Sequence, residues 1–286
     1  MESCLEMGKH IIVSKAQSWS GGKHKTGDMV ALQMNPDKLV RVLHVVARAF
    51  ISEMVIFTVA NALYCVIRSV SQWSAGTSRT EESIHIAYCS LIEKAEHFVY
   101  IEGGLDDSGA ASVRAIMHWQ YRTICRGQNS IFHNLYDLLG SKVHDYISFY
   151  GLRSYGKLFD GGPVATSQVY VHSKIMIVDD CIALIGSANI NDRSLLGSRD
   201  SEIAIVIEDK ELINSYMGGQ PWKAGKFCWS LRLSLWSEHL GLRPGQINQI
   251  VDPVSDSTYK DTWMGTAKTN TTIYQDVFSC LTPTTS

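Results

Sequence analysis

The residues best suited to chemistry in this 286-residue chain stand together, in Tyr170-Val-His172-Ser-Lys174-Ile-Met-Ile-Val-Asp179 and in the Gly186-Ser187-Ala-Asn189 that follows. The run Val169–Val178 is rich in β-branched and apolar side chains and predicts a strand. Side chains alternate faces along a strand, so His172 and Lys174 share one face. Val171, Ile175 and Ile177 share the other, toward a core. Asp179-Asp180 predicts a turn, and Ile182–Ile185 the returning strand. Gly186-Ser187 then brings Asn189 back toward the imidazole. An imidazole, a fixed cation and an amide donor at one sheet edge suit displacement at an anionic phosphoryl group. The same alternation also fits a hairpin with a merely polar outer face, so spacing alone leaves both readings open.

The pattern His172-x-Lys174-x4-Asp179-x6-Gly186-Ser187-x-Asn189 resembles the signature of the phospholipase D superfamily. Ile185–Glu202, Ala115–Gly127 and Ser71–Gly76 are similar to the animal phosphatidylcholine-specific phospholipases D, nearest in pattern to their second mammalian isoform. The resemblance runs from about Tyr64 to about Cys280. It implies an α/β fold: a phospholipase D-superfamily half-domain, with a mixed β-sheet flanked by helices and incomplete. It implies hydrolysis of phosphatidylcholine to phosphatidic acid and choline, with no cofactor and no metal in the catalytic step. The catalytic set it implies is His172, Lys174, Asp179 and Glu202, with Lys174, Ser187 and Asn189 binding phosphate. His172 takes the role of acid toward the leaving alcohol. Glu202 orients its imidazole, and Asp179 is assigned more to the turn than to the chemistry. The implied partners are phosphatidylcholine, the membrane surface and a phosphoinositide activator, and the implied place is cytoplasmic, peripheral on membranes.

Family members that act on lipids carry two such motifs, one histidine attacking phosphorus and the other protonating the leaving group. The ten histidines of this chain provide one His-x-Lys step; His24-Lys25 is adjacent and would face opposite ways on a strand. The expectation is therefore half a site, completed by a second half or by a homodimer with a two-fold axis. Two alternatives remain: a homodimeric single-motif phosphodiesterase or nuclease, and an inactive truncated form that binds phospholipid or a partner.

Composition limits the rest. A hydrophobic fraction of 45% is that of a globular protein, and a net charge of −2 gives no overall attraction to nucleic acid, so none is expected as a partner. The seven cysteines are odd in number, scattered and without a Cys-x-x-Cys pair, which favours a reducing compartment and argues against zinc. The acidic start lacks the apolar core of a signal peptide. Residues 1–63 are expected to be an extension outside the resemblance, partly disordered, with an apolar helix in the run Leu39–Val70. Residues 64–280 form the catalytic half, and 281–286 an altered tail. Ile84, Tyr88 and Leu91 at helical spacing predict a helix ending near Glu96, followed by the strand His97–Glu102. There Glu102 runs straight into Gly103-Gly104, where the family has a further helix and core strand. A missing block, and a gap in the sheet beside that strand, are expected. Gly151–Thr166 and Gly218–Lys226 are read as loops, Ser201–Glu208 as a strand and Ser230–Leu240 as a helix.

Overall fold

The structure is a computed structural model that describes residues 62–103, 122–169 and 171–278, together with the backbone of residues 10–14. Its centre is an eight-stranded sheet. The strands are β1 (His10–Ser14), β2 (Ala62–Val70), β3 (Glu81–Glu82), β4 (Phe98–Gly103), β5 (Ile147–Tyr150), β8 (Lys174–Val178), β9 (Ile182–Gly186) and β10 (Glu202–Asp209). Their order is β3-β2-β10-β9-β8-β4-β1-β5. Two hairpins stand apart, β6 (Arg153–Lys157) with β7 (Val164–Gln168), and β11 (Leu212–Met217) with β12 (Gln220–Gly225). The longest α-helices among the described residues are α1 (Ser83–Lys94), α2 (Ile131–Leu139), α3 (Lys226–Leu240) and α4 (Gly265–Phe278).

The central strands are apolar on both faces because both faces are covered. Helix α1 presents Ile84 and Tyr88, one turn apart, to Val99, Ile101, Met176, Val178 and Leu184. On the opposite face, Phe227, Leu233 and Trp236 of α3 join Tyr259 and Trp263 over Phe98, Tyr100, Ile177 and Ala183. Phe98, Tyr100, Ile177 and Trp236 are each 0% exposed. Each such side chain contributes about 1.5–3 kcal/mol by leaving water. The two cores, not one alternating face, hold β8 in place.

Four expectations fail here. The described part of the apolar run, Ala62–Val70, is a strand and not a helix; it pairs antiparallel with β10 from Ser69↔Glu202 to Ala62↔Asp209. The sheet beside β4 has no gap: β8 lies along one side, and β1 along the other in parallel register, His10 to Ser14 against Phe98 to Glu102. The β-branched Ile11, Ile12 and Val13 supply a strand that the sequence reading had placed outside the fold. The chain after Gly103, the expected missing block included, and most of residues 1–63 lie outside the described residues. Both loops are hairpins. At the second, Gly218 and Gly219 hold φ of 62° and 76°, the left-handed pair that a two-residue hairpin turn requires. Asp252 accepts both of their N–H groups, at 2.8 and 2.7 Å.

Two buried polar clusters brace the core. Arg232 of α3 and Asp180 are both 0% exposed and pair through two bonds of 2.7 Å. The guanidinium also donates to the carbonyls of Ile250 and Val251 and lies 4.9 Å from the Trp236 ring centroid. On β4, Glu102 is 4% exposed, and its carboxylate accepts from Tyr100, His239 and Ser173. Burial pushes its pKa up, but those bonds outweigh burial and hold it below the ordinary 4.5. The sign follows from linkage. A carboxyl depressed in the folded state lends stability that is complete above its unfolded pKa and is lost as pH falls through the folded one. The urea midpoint is expected to fall as pH drops below about 4.5, and to fall less in Glu102→Gln. Equal losses in the two proteins would show that Glu102 takes no part in acid sensitivity.

Candidate active site

Lys174 opens β8, beside Gly103 of β4. Its side chain shares the face of Met176 and Val178, so the row that starts with the motif runs directly into the α1 core. The hairpin with a merely polar outer face is therefore excluded. Lys174 is 7% exposed, and its Nζ donates to the His172 carbonyl at 2.7 Å. That bond explains a second correction. The strand begins at Lys174 and not at Val169, because at His172 the carbonyl is taken up by the lysine ammonium and not by a ladder. The His172 residue is exposed at the end of the sheet.

Strand β9 returns in the register Ile175↔Ile185, and β10 pairs beyond it with Ala204↔Gly186. A Cβ on Gly186 would stand 2.4 Å from the Ala204 Cβ and 2.6 Å from the Ile203 carbonyl oxygen, so glycine alone permits this approach. Carried two residues past Ala204↔Gly186, the β9–β10 register sets Ala188 opposite Glu202; His172 precedes β8, whose paired residues with β9 end at Ile175↔Ile185. Ala188, 2% exposed, belongs to the core under α1.

Ser187 carries a role the sequence did not assign. Its N–H donates to the Ile203 carbonyl at 3.0 Å, its Oγ accepts from the Ile203 N–H at 3.1 Å, and its hydroxyl donates to Glu202 Oε2 at 2.5 Å. The hydroxyl proton expected to bind phosphate thus holds the carboxylate. Among the described residues, Ser187 is the hydrogen-bond partner of the Glu202 carboxylate. Asn189 has its side-chain Oδ1 buried with no hydrogen-bond partner. Turning the amide over puts Nδ2 in that position, and a donor there suits a phosphoryl oxygen. The two residues after Asn189 lead into a short helical turn, Asp192–Leu195, capped by Asn191 Oδ1 accepting from the Ser194 N–H at 3.0 Å.

Asp179 stands at the far end of β8, roughly 15 Å from Lys174 at the rise of a strand. Its carboxylate accepts from the N–H groups of Glu96, His97 and Phe98 at 2.6, 2.8 and 2.7 Å. Burial pushes its pKa up, and the three backbone donors pull the other way. With φ at 52° it makes the tight turn and ties it to the start of β4. Its carboxylate shapes the hairpin, at the opposite end of β8 from Lys174 and away from His172.

Residues 162–278 match a family model described as phospholipase D, and residues 88–218 one described as cardiolipin synthase, PLD-like domain. Together the two matches place a phospholipase D-type domain over residues 88–278. It is similar to phospholipase D zeta 1 of Arabidopsis thaliana, 65% identical over 265 residues that cover 76% of this chain and 24% of that protein. Phospholipase D1 of Rattus norvegicus is 39% identical, again over 76% of this chain and 24% of that protein. Phospholipase D2 of Bos taurus is 38% identical and covered to 28%. The half-domain thus spans about a quarter of the curated relatives it matches. Its likeness to a plant enzyme exceeds that to the animal ones, which corrects the expectation of a nearest match to the second mammalian isoform. A crystal structure of a phospholipase D family member, Nuc from Salmonella typhimurium, covers 63% of this chain and 95% of that one, with 17% identity and a TM-score of 0.29; so low a score carries nothing further.

The sequence reading missed Asp180, Arg232 and Glu102. Each left a signal. Arg232 sits in Trp229-Ser-Leu-Arg-Leu-Ser-Leu-Trp236, an apolar helical stretch where a charge demands a buried partner. Glu102 closes the strand Phe98-Val-Tyr-Ile, all of it buried. Among the described residues no group of three His, Cys, Asp or Glu is placed to hold a metal ion, and no helix is long and apolar enough to cross a membrane.

Proposed function

We propose that this half-domain is one half of a phospholipase D-type active site that hydrolyses phosphatidylcholine to phosphatidic acid and choline. The observation that carries the reading is the His172-x-Lys174 step at the start of β8, with the orphaned Asn189 amide following β9, the strand that lies between β8 and the β10 strand of Glu202. In this reading the second half supplies the histidine that attacks phosphorus. His172, as its imidazolium, gives its proton to the departing choline oxygen, and water then releases phosphatidic acid from the other histidine. Lys174 and the Asn189 amide hold the charge that builds on the phosphoryl oxygens. Glu202, aimed by Ser187, keeps the imidazole of His172 oriented and favours its protonated form. The chain works at the cytoplasmic face, peripheral on the membrane, with a phosphoinositide as activator.

The test is choline release from phosphatidylcholine vesicles, read beside the mass of the chain in solution. The chain alone is expected to be a monomer without turnover, and to gain turnover when mixed with a polypeptide carrying the first motif. A turning-over monomer would refute the half-site reading. A dimer that cleaves DNA and releases no choline would favour the single-motif nuclease. Silence in every assay, with phosphatidylcholine vesicles still bound, would leave a non-catalytic lipid-binding form.

A further inference from the structure

Donors from three elements converge on the buried carboxylate of Glu102. Tyr100 Oη, from β4 itself, donates to Oε2 at 2.7 Å, and His239 Nε2, from α3, lies 3.0 Å from the same oxygen. Ser173 Oγ donates to Oε1. The side chain of His239 is 8% exposed, and its ring stands edge-on to Trp263 at 6.4 Å between centroids. Ser173 is the residue between His172 and Lys174. Strand parity turns its side chain to the face opposite theirs, the face of Ile175, which is the direct neighbour of Glu102. Residues 171–173 precede the ladder. The motif step is thus tied at the front, where Lys174 Nζ holds the His172 carbonyl, and at the back, where Glu102 holds Ser173.

We propose that Ser173, Glu102 and His239 form a clamp behind the motif that fixes where His172 and Lys174 stand. They are positioning residues; none of them touches substrate. The proposal rests on the phosphodiesterase reading. Its physics is that of a satisfied buried network. A hydroxyl bonded to an ionised carboxylate is roughly twice as strong a link as one between neutral groups. A buried carboxylate that has spent its lone pairs on fixed donors has one arrangement, so it passes its own rigidity to whatever it holds. The reacting groups need that rigidity, since a displacement of about 1 Å can cost on the order of 10²-fold in rate. The apolar core could hold β8 as a strand without Glu102. It could not set the unladdered step that precedes it.

The decisive comparison is Ser173→Ala against Ser173→Thr, in the full chain. With the histidines labelled with nitrogen-15, the His172 ring signal is expected to be single and sharp in the parent chain, broadened or doubled in Ser173→Ala, and single again in Ser173→Thr. In the assembled enzyme, kcat for choline release is expected to fall on the order of 10- to 100-fold in Ser173→Ala with KM within about twofold, and to return in Ser173→Thr. His239→Gln keeps an N–H donor toward Glu102 and is expected to stay with the parent in both measurements. A purely structural role would lower the melting temperature and leave the His172 signal single. An unchanged His172 signal in a folded Ser173→Ala chain overturns the clamp, as does a threonine variant that folds yet restores nothing. Absence of choline release from the parent assembly counts against the phosphodiesterase reading alone, because the resonance comparison still decides the clamp.

Discussion

Replacing His172 by asparagine is expected to reduce choline release by the assembled enzyme on the order of 10²- to 10⁴-fold, the range set by losing a general acid. The loss should fall on kcat, because the proton is needed as the choline oxygen departs and not while phosphatidylcholine is being held. Asparagine keeps a polar group of similar reach at the exposed end of the sheet and leaves the Lys174 bond to the main-chain carbonyl in place. Vesicle binding is therefore expected to survive. Glu202→Gln separates orientation from charge. It keeps an acceptor for the Ser187 hydroxyl and removes the carboxylate that favours an imidazolium, so turnover should drop with little change in KM. A His172→Asn enzyme that keeps kcat and loses only KM would mean that the histidine binds substrate and transfers no proton.

Removing Arg232 is expected to cost about 3–5 kcal/mol of folding stability, the range for breaking a buried ion pair from one side. Against a total of about 5–15 kcal/mol, that loss brings the chain close to unfolding at room temperature. Three consequences add in Arg232→Ala. Asp180 is left at 0% exposure without its partner, the carbonyls of Ile250 and Val251 lose their donor, and the contact with Trp236 is replaced by a void. Asp180→Ala should cost a similar amount, because it strands the guanidinium. Joint replacement by Asp180→Leu and Arg232→Met should recover part of the loss, since apolar side chains can take over a buried pair but cannot donate to the two carbonyls. Urea unfolding followed by tryptophan fluorescence measures all three, with Trp236 and Trp263 in the same core. A single substitution that stays within about 1 kcal/mol of the parent would mean that water reaches the pair.

Both expectations have the same root in the fold. The hairpin β8–β9 has its motif end at the sheet margin and its turn end deep against α3. Asp179 and Asp180 occupy adjacent positions in that turn and go opposite ways, one to the backbone at the start of β4, the other to Arg232. The seating of the β8–β9 hairpin therefore depends on a turn in which two acids are buried. Glu102 repeats the device on the neighbouring strand, with its carboxylate satisfied by donors from three elements.

Whatever depends on near neighbours was legible in the sequence. Period-two alternation in Lys174–Val178 and Ile182–Gly186 is local, as is the 3.6 period that places Ile84 and Tyr88 on one face of α1. The strand at Phe98, the helix at Ser230–Leu240 and the motif residues themselves could be read for that reason. Where residues far apart meet, the folded chain alone settled the outcome. The apolar run ending at Val70 could satisfy its backbone as a helix or as a strand, and the long ladder that β10 offers made it a strand. His10–Ser14 enters the sheet between β4 and β5 because those strands would otherwise keep unpaired N–H and C=O groups, and no local pattern announces that vacancy. Asp179 and Asp180 look alike in sequence; which one turns to the backbone and which to an arginine 52 positions away depends on how the turn is buried. The bond from the Ser187 hydroxyl to Glu202 likewise depends on β9 and β10 lying side by side, which no local pattern around Ser187 announces.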